Sequence, residues 1–151
     1  MSMQVSDILR LKGNALYTIA PEASLMQAAQ VMAEQDIGSL VVIAHGRVAG
    51  ILTFREIIRA AVQAGGSFAA ITVGGAMDPH PLLCAPETDM DQVRRMMLER
   101  HARYSPVMDG GDLMGVISFY DVAKAVVDSQ NFENRMLKAY IRDWPEEEDK
   151  K

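Results

Sequence analysis

Apolar residues at Leu25, Ala28, Ala29 and Met32 stand three and four positions apart, the spacing that lines one face of an α-helix. Met90, Val93 and Met97 repeat that spacing further along the chain. Each run opens on a capping-box pattern, Ser24 followed three residues later by Gln27, and Asp89 by Gln92, which marks a helix N-terminus. Short apolar runs come next, Leu40-Val41-Val42-Ile43 and Pro106-Val107-Met108, and they predict buried strands, with Pro106 near a strand start or an edge because it lacks an N–H. Turn residues then predict two hairpins, Ala44-His45-Gly46-Arg47 returning along 48–52 and Asp109-Gly110-Gly111-Asp112 returning along 113–117. Second helices are predicted to open at Thr53 and Ser118 and to run over 54–63 and 119–127, the first closing at Gly65-Gly66.

The two series are one series repeated. A shift of 65 aligns residues 21–63 with 86–128 without a gap, and 11 of the 43 pairs are identical. Chance would give about 6% identity at ordinary composition, so the match marks a duplication. Upstream, residues 5–9 pair with 73–77 at an offset of 68, placing a length difference of three in the loops before Pro21 and Pro86. The repeated order is helix or loop, strand, helix, strand, strand, helix. A unit of about 60 residues is too small to bury much core alone, so the two are predicted to pack sheet to sheet about a pseudo-twofold axis. The predicted organisation is a first repeat over 5–65, a second over 66–128, a C-terminal helix over 129–144 and a disordered tail over 145–151. The C-terminal stripe at 132, 136, 137, 140, 141 and 144 lies outside the duplication, and it implies either cover for a groove or a meeting with a second subunit.

Composition narrows the function. With 151 residues, 49% hydrophobic and 23% charged, the chain has material for a core and too little polar bias for disorder. A net charge of −5 argues against nucleic acid as a partner. No apolar run approaches the roughly 20 residues of a membrane span. The N-terminus lacks a signal-peptide pattern, and the lone Cys84 cannot form an internal disulfide, so a cytoplasmic protein is expected. His45, His80 and His101 are scattered without metal-ligand spacing, and no nucleophile-base arrangement or P-loop lysine motif is present, so no enzyme and no catalytic cofactor are expected.

Two stretches carry the candidate chemistry: Gly50-Ile51-Leu52-Thr53-Phe54-Arg55-Glu56 and Gly115-Val116-Ile117-Ser118-Phe119-Tyr120-Asp121. Both read Gly, two apolar residues, Ser or Thr, two further residues, then Asp or Glu, each after a buried strand. On these residues the chain resembles, over about 5–128, a tandem pair of cystathionine-β-synthase (CBS) domains, the Bateman module in its stand-alone bacterial type. The resemblance implies an α/β (α+β) fold of two pseudo-twofold β-α-β-β-α repeats with a cleft on each side. It also implies adenosyl ligands as signals, here AMP or ATP ahead of NAD, with S-adenosylmethionine also in the family's range, and a homodimer built as a disc of two modules. The apolar layer for that dimer is expected from Ile57, Ile58, Ala61, Val122, Val126 and Val127, with Phe132, Tyr140 and Trp144 from the tail.

A carboxylate in the first turn of a helix can accept charge-assisted hydrogen bonds from both hydroxyls of a ribose, and the free N–H groups at the helix start favour phosphate. The same residues are also a plain helix cap, Thr53 with Glu56 and Ser118 with Asp121, and both readings stand at the level of sequence. Family geometry implies that Ser118 and Asp121 face Ile8, Lys12, Gly13, Ile37 and Gly38, with Ile8, Ile37 and Gly38 against the base. It implies that Thr53 and Glu56 face Met77, His80, Ala102, Arg103 and Tyr104, with Arg55 and Arg103 toward phosphate. Glu56 stands where Asp is commoner, and Tyr104-Ser105 where relatives often have His-Leu. The function implied is a small regulatory sensor of adenine nucleotides that signals to an unidentified target. The alternative is a non-catalytic dimerisation scaffold with vestigial clefts.

Overall fold

The computed structural model describes residues 3–13 and 15–142. The elements follow in the order α1 (Val5–Lys12), β1 (Thr18–Ile19), α2 (Leu25–Gln35), β2 (Ser39–Ala44), β3 (Arg47–Thr53), α3 (Phe54–Gln63), α4 (Val73–Ala76), α5 (Met90–Arg100), β4 (Tyr104–Asp109), β5 (Asp112–Ser118) and α6 (Phe119–Arg142). The two halves repeat each other closely. α2 closes on Asp36 and α5 on His101, both left-handed and 65 residues apart. β2–β3 and β4–β5 are antiparallel hairpins, each with a register shift at the matching place, Val42/Ile43 and Val107/Met108.

Each half has its own apolar core, and the cores divide the chain differently from the sequence repeat. One gathers Leu25, Ala28, Met32, Leu40, Val42, Leu52 and Ala60 with Val73, which comes from the start of the second repeat. The other gathers Val93, Met97, Val107, Ile117 and Val122 with Val5 and Ile8, which come from the start of the first. The exchanged segments are held by matching backbone bonds. Ser6 N donates to Pro86 O at 2.9 Å and Gly74 N to Pro21 O at 2.9 Å. Val41 and Ile51, on the strand faces turned away from the first core, are 0% and 4% exposed and lie outside both clusters, which leaves them for the junction between the sheets.

The duplication breaks at Pro106, which lies inside β4 rather than at its start. In the first half β1 runs parallel to β2, and Val41 N donates to Tyr17 O at 3.2 Å. The matching donor in the second half would be the N–H that Pro106 lacks, and Leu82 O instead accepts from the buried Ser105 hydroxyl at 2.8 Å. The parallel pairing there shrinks to a single bridge, Cys84 to Val107. Cys84 is itself buried, and desolvation pushes its thiol above the ordinary range despite the opposing hydrogen bond from Ser105, so it stays a neutral core side chain.

The sequence predicts separate helices over 119–127 and 129–144, whereas α6 runs unbroken from Phe119 to Arg142. Asp128 and Ser129 are neither glycine nor proline, so nothing local stops it. Trp144 and the tail over 145–151, expected to be disordered, lie outside the described residues.

The motif glycines are set by close approach, since neither has a positive φ. A Cβ on Gly50 would press into the backbone carbonyl of Asp78, its carbonyl carbon 3.1 Å away, where Ile51 and Asp78 exchange hydrogen bonds of 3.0 and 2.9 Å. A Cβ on Gly115 would meet only the end of the Leu9 side chain, at 2.9 Å. Gly50→Ala should therefore cost about 1–3 kcal/mol in urea unfolding and Gly115→Ala clearly less, because a side-chain end can move and a paired backbone cannot. Equal losses in the two variants would contradict this account.

Candidate functional site

Two clefts lie where one half meets the other. The first, about 430 Å³, is walled by Thr53, Arg55 and Glu56 from the start of α3, by Asp78, Pro81 and Leu82 from the following loop, and by Arg100, Ala102, Arg103 and Tyr104 around the end of α5. The sequence folds this way locally because Thr53 and Glu56 form a capping box. Glu56 Oε1 accepts from Thr53 N at 2.9 Å and from the Thr53 hydroxyl at 2.5 Å. Glu56 is 9% exposed, and its second oxygen has no protein donor among the described residues. The Arg55 guanidinium reaches across to donate to His101 O at 2.5 Å, tying α3 to the end of α5.

The second cleft, about 880 Å³, is lined by Lys12, Leu16, Tyr17, Ile37, Gly38 and Ser39 on one side and by Val116, Ser118, Phe119 and Tyr120 on the other. Ser118 and Asp121 also cap their helix reciprocally: Asp121 Oδ2 accepts from Ser118 N at 2.8 Å, and Ser118 Oγ accepts from Asp121 N at 3.0 Å. Here the carboxylate has one partner more. Lys12 Nζ donates to Asp121 Oδ2 at 2.8 Å and to Val116 O at 2.7 Å, so the lysine, on the cleft wall, lies between the cavity and the carboxylate. Asp121 Oδ1 has no protein donor among the described residues.

The two readings of the motif are thus compatible. In each copy one carboxylate oxygen holds the cap and the other has no protein donor among the described residues. Of the residues expected at the first cleft, Thr53, Arg55, Glu56, Ala102, Arg103 and Tyr104 are on its wall. Met77 packs against the first core and lines a neighbouring recess beneath α3. His80 lies in the adjoining loop, its N–H on Asp78 Oδ1 at 2.9 Å and its carbonyl accepting from Arg100 at 2.9 Å. At the second cleft Lys12, Ile37, Gly38 and Ser118 line the cavity. Asp121 stands behind Lys12, and Gly13 follows the lysine as the α1 C-cap without lining the cavity. Ile8, expected against a base, is 3% exposed and packed in the second core. An apolar residue on the inner face of α1 has more to gain from that core than from an open cleft.

Sequence reasoning missed Arg59, Arg100, Asp78, Phe119 and Tyr120 on the walls. Arg59 had a signal, since it follows Arg55 by four residues and so shares its helix face. Also missed was that Arg103 and Tyr104 line both clefts. Burial pushes the Tyr104 phenol above its ordinary range, with Arg103 opposing and Asp121 adding, so it is a neutral hydroxyl between the two cavities at neutral pH. Gly38 makes room for it: a Cβ there would overlap the phenol oxygen and come within 2.9 Å of its ring carbon. In Gly38→Ala the ring should leave its place between the clefts while the melting temperature stays near wild type, since the obstacle is the end of a side chain. A crystal structure of the variant tests this, and an unmoved Tyr104 would refute it.

A family model for the CBS domain matches residues 5–63 and 73–128. The chain is 29% identical over 150 residues to the mitochondrial CBS domain-containing protein CBSX3 of Arabidopsis thaliana, covering 93% of this chain and 73% of that one. The crystal structure of a CBS-domain containing protein from Agrobacterium tumefaciens superposes with a TM-score of 0.77 at 33% identity, covering 82% of this chain and 98% of that one. A structure of CBSX2 in complex with AMP shares the fold at 23% identity and a TM-score of 0.68, covering 84% of this chain and 98% of that one. No described helix is long and apolar enough to cross a membrane.

Proposed function

The chain belongs to the CBS-domain family, and on that premise we propose that it is a small cytoplasmic regulatory sensor whose clefts bind adenine nucleotides, AMP or ATP ahead of NAD. The observation that carries this reading is the pair of carboxylates, Glu56 and Asp121. Each is anchored through one oxygen in a helix cap and keeps the other without a protein donor among the described residues, Glu56 on the wall of the first cleft and Asp121 behind Lys12 at the second. That arrangement presents a fixed acceptor to a ribose diol. The second cleft adds Ile37, Tyr17 and Tyr104, a flat apolar wall suited to a base, and both volumes fall within the usual range for small-molecule sites. A chain of this fold holding AMP supports the choice of ligand class. CBSX3 and the Agrobacterium tumefaciens protein are both named for their CBS domains, in keeping with a binding role.

At the second cleft Lys12 is paired with Asp121, so a ribose that displaced the lysine would also release α1 from its tie to α6. This is a direct route from ligand to shape. Calorimetry with AMP, ATP, NAD and the corresponding guanine nucleotides tests the reading. Adenine compounds should bind and guanine compounds should bind more weakly, whereas no binding at all would leave the scaffold alternative. In Asp121→Asn the AMP affinity should fall about ten- to hundredfold, the loss of one charge-assisted bond, with stability changed by on the order of 1 kcal/mol because Asn can still accept the Ser118 N–H. Glu56→Gln should have a smaller effect. Unchanged AMP affinity in Asp121→Asn would remove the ribose from this site.

We also propose a homodimer, on a helix face that keeps Ile58, Val127 and Phe132 of the expected layer. Val122 is fully buried, and Ile57 and Val126 pack on the cores, so the exposed apolar positions are Phe54, Ile58 and Val62 on α3 and Val127 on α6. Phe132, Met136, Leu137 and Ile141 extend the apolar surface along the outer part of α6. This is a large number of exposed apolar side chains for a small monomer. Light scattering at micromolar concentration should give twice the chain mass, and Ile58→Glu should reduce it toward the monomer. A monomeric wild type would refute the dimer.

A further inference from the structure

The clefts differ in charge far more than the duplication would require. Arg55, Arg59, Arg100 and Arg103 all line the first, against Glu56 and Asp78, in a protein whose net charge is −5. Among the described residues none of the four arginines makes an ion pair. Arg55 and Arg100 donate to backbone carbonyls only, those of His101 and His80. The two acids on the wall are held elsewhere, Glu56 by Thr53 and Asp78 by the His80 N–H. Arg55 and Arg59 sit four residues apart on α3, where like charges repel each other. Four arginines on the wall of one cavity, none of them in an ion pair among the described residues, suit a ligand carrying several linked phosphates. The second cleft has only Lys12 and Arg103, and the lysine is already paired with Asp121.

We propose that the first cleft is a polyphosphate site, taking a ligand with three or more linked phosphates, while the second takes a nucleoside carrying at most one. The proposal rests on the adenine-nucleotide reading for the base but not for the phosphates, which an adenine-free probe can test. Inorganic tripolyphosphate is that probe, titrated calorimetrically beside AMP and ATP into the full-length chain. It should bind once per chain, compete with ATP, and weaken steeply with added salt.

Arg59→Gln removes a side chain that makes no hydrogen bond among the described residues and should lower tripolyphosphate and ATP affinity about tenfold. Arg59→Gln combined with Arg100→Gln should lower both by a hundredfold or more, leaving AMP binding at the second cleft in place. Arg47→Gln combined with Lys124→Gln removes the same charge from exposed positions away from the cleft and should change little. If AMP binds as tightly as ATP and tripolyphosphate does not bind, the polyphosphate site is refuted and the nucleotide reading stands. If tripolyphosphate binds through the arginines and no adenine compound does, the nucleotide reading fails and this site remains. A loss in the surface-charge control as large as in Arg59→Gln with Arg100→Gln would also overturn it, and so would the absence of binding by every probe.

Discussion

Val5 and Ile8 open the first repeat and are buried in the core of the second, while Val73 lies near the start of the second repeat and is buried in the core of the first. Burying an aliphatic side chain of this size contributes roughly 1.5–3 kcal/mol, so each half depends on a segment that the other half carries in sequence. Neither repeat is a self-sufficient folding unit. The crossing also creates the clefts. Because α1 is packed against the second half, Lys12 reaches Asp121, and because α4 is packed against the first, Asp78 lies beside Ile51 at the base of the first cleft.

Within that frame the helix caps and the proposed ligand contacts share one set of residues. A capping box demands an acceptor from its fourth residue, and one oxygen of a carboxylate is enough. The remaining oxygen is held as rigidly as the cap itself, at a helix start that also offers a positive dipole end. A ligand group placed there meets an acceptor whose ordering the fold has already provided. Glutamine would cap as well, as Gln27 does on α2, but it could not offer two charged oxygens.

Divergence between the copies is concentrated where backbone chemistry or charge changed. Pro106 removed one ladder donor, Ser105 replaced it, and the adjoining strand shrank to one bridge, which leaves the loop before α5 free to follow a different course from its counterpart. Arginines line one cleft, and a lysine–aspartate pair stands at the other. Tyr104 between them means that a ligand on one side shares a wall with a ligand on the other.

How much of this the chain reveals unaided follows from the range of each interaction. Caps at Ser24, Thr53 and Ser118, the hairpins at 44–47 and 109–112, and the duplication itself depend on residues within a few positions of one another, and all are legible in sequence order. The motif carboxylates were legible for the same reason, since their spacing from Thr53 and Ser118 is local. Tertiary packing decided the rest. Whether Ile8 lined a cleft or filled a core turned on a surface contributed more than 80 residues away. The convergence of Arg59 with Arg100, the position of Lys12 over Asp121, and the placing of Tyr104 between two cavities are likewise contacts between distant segments. A repeat predicts that two halves are alike, but the charge in the gap between them is a sum over both and belongs to neither alone.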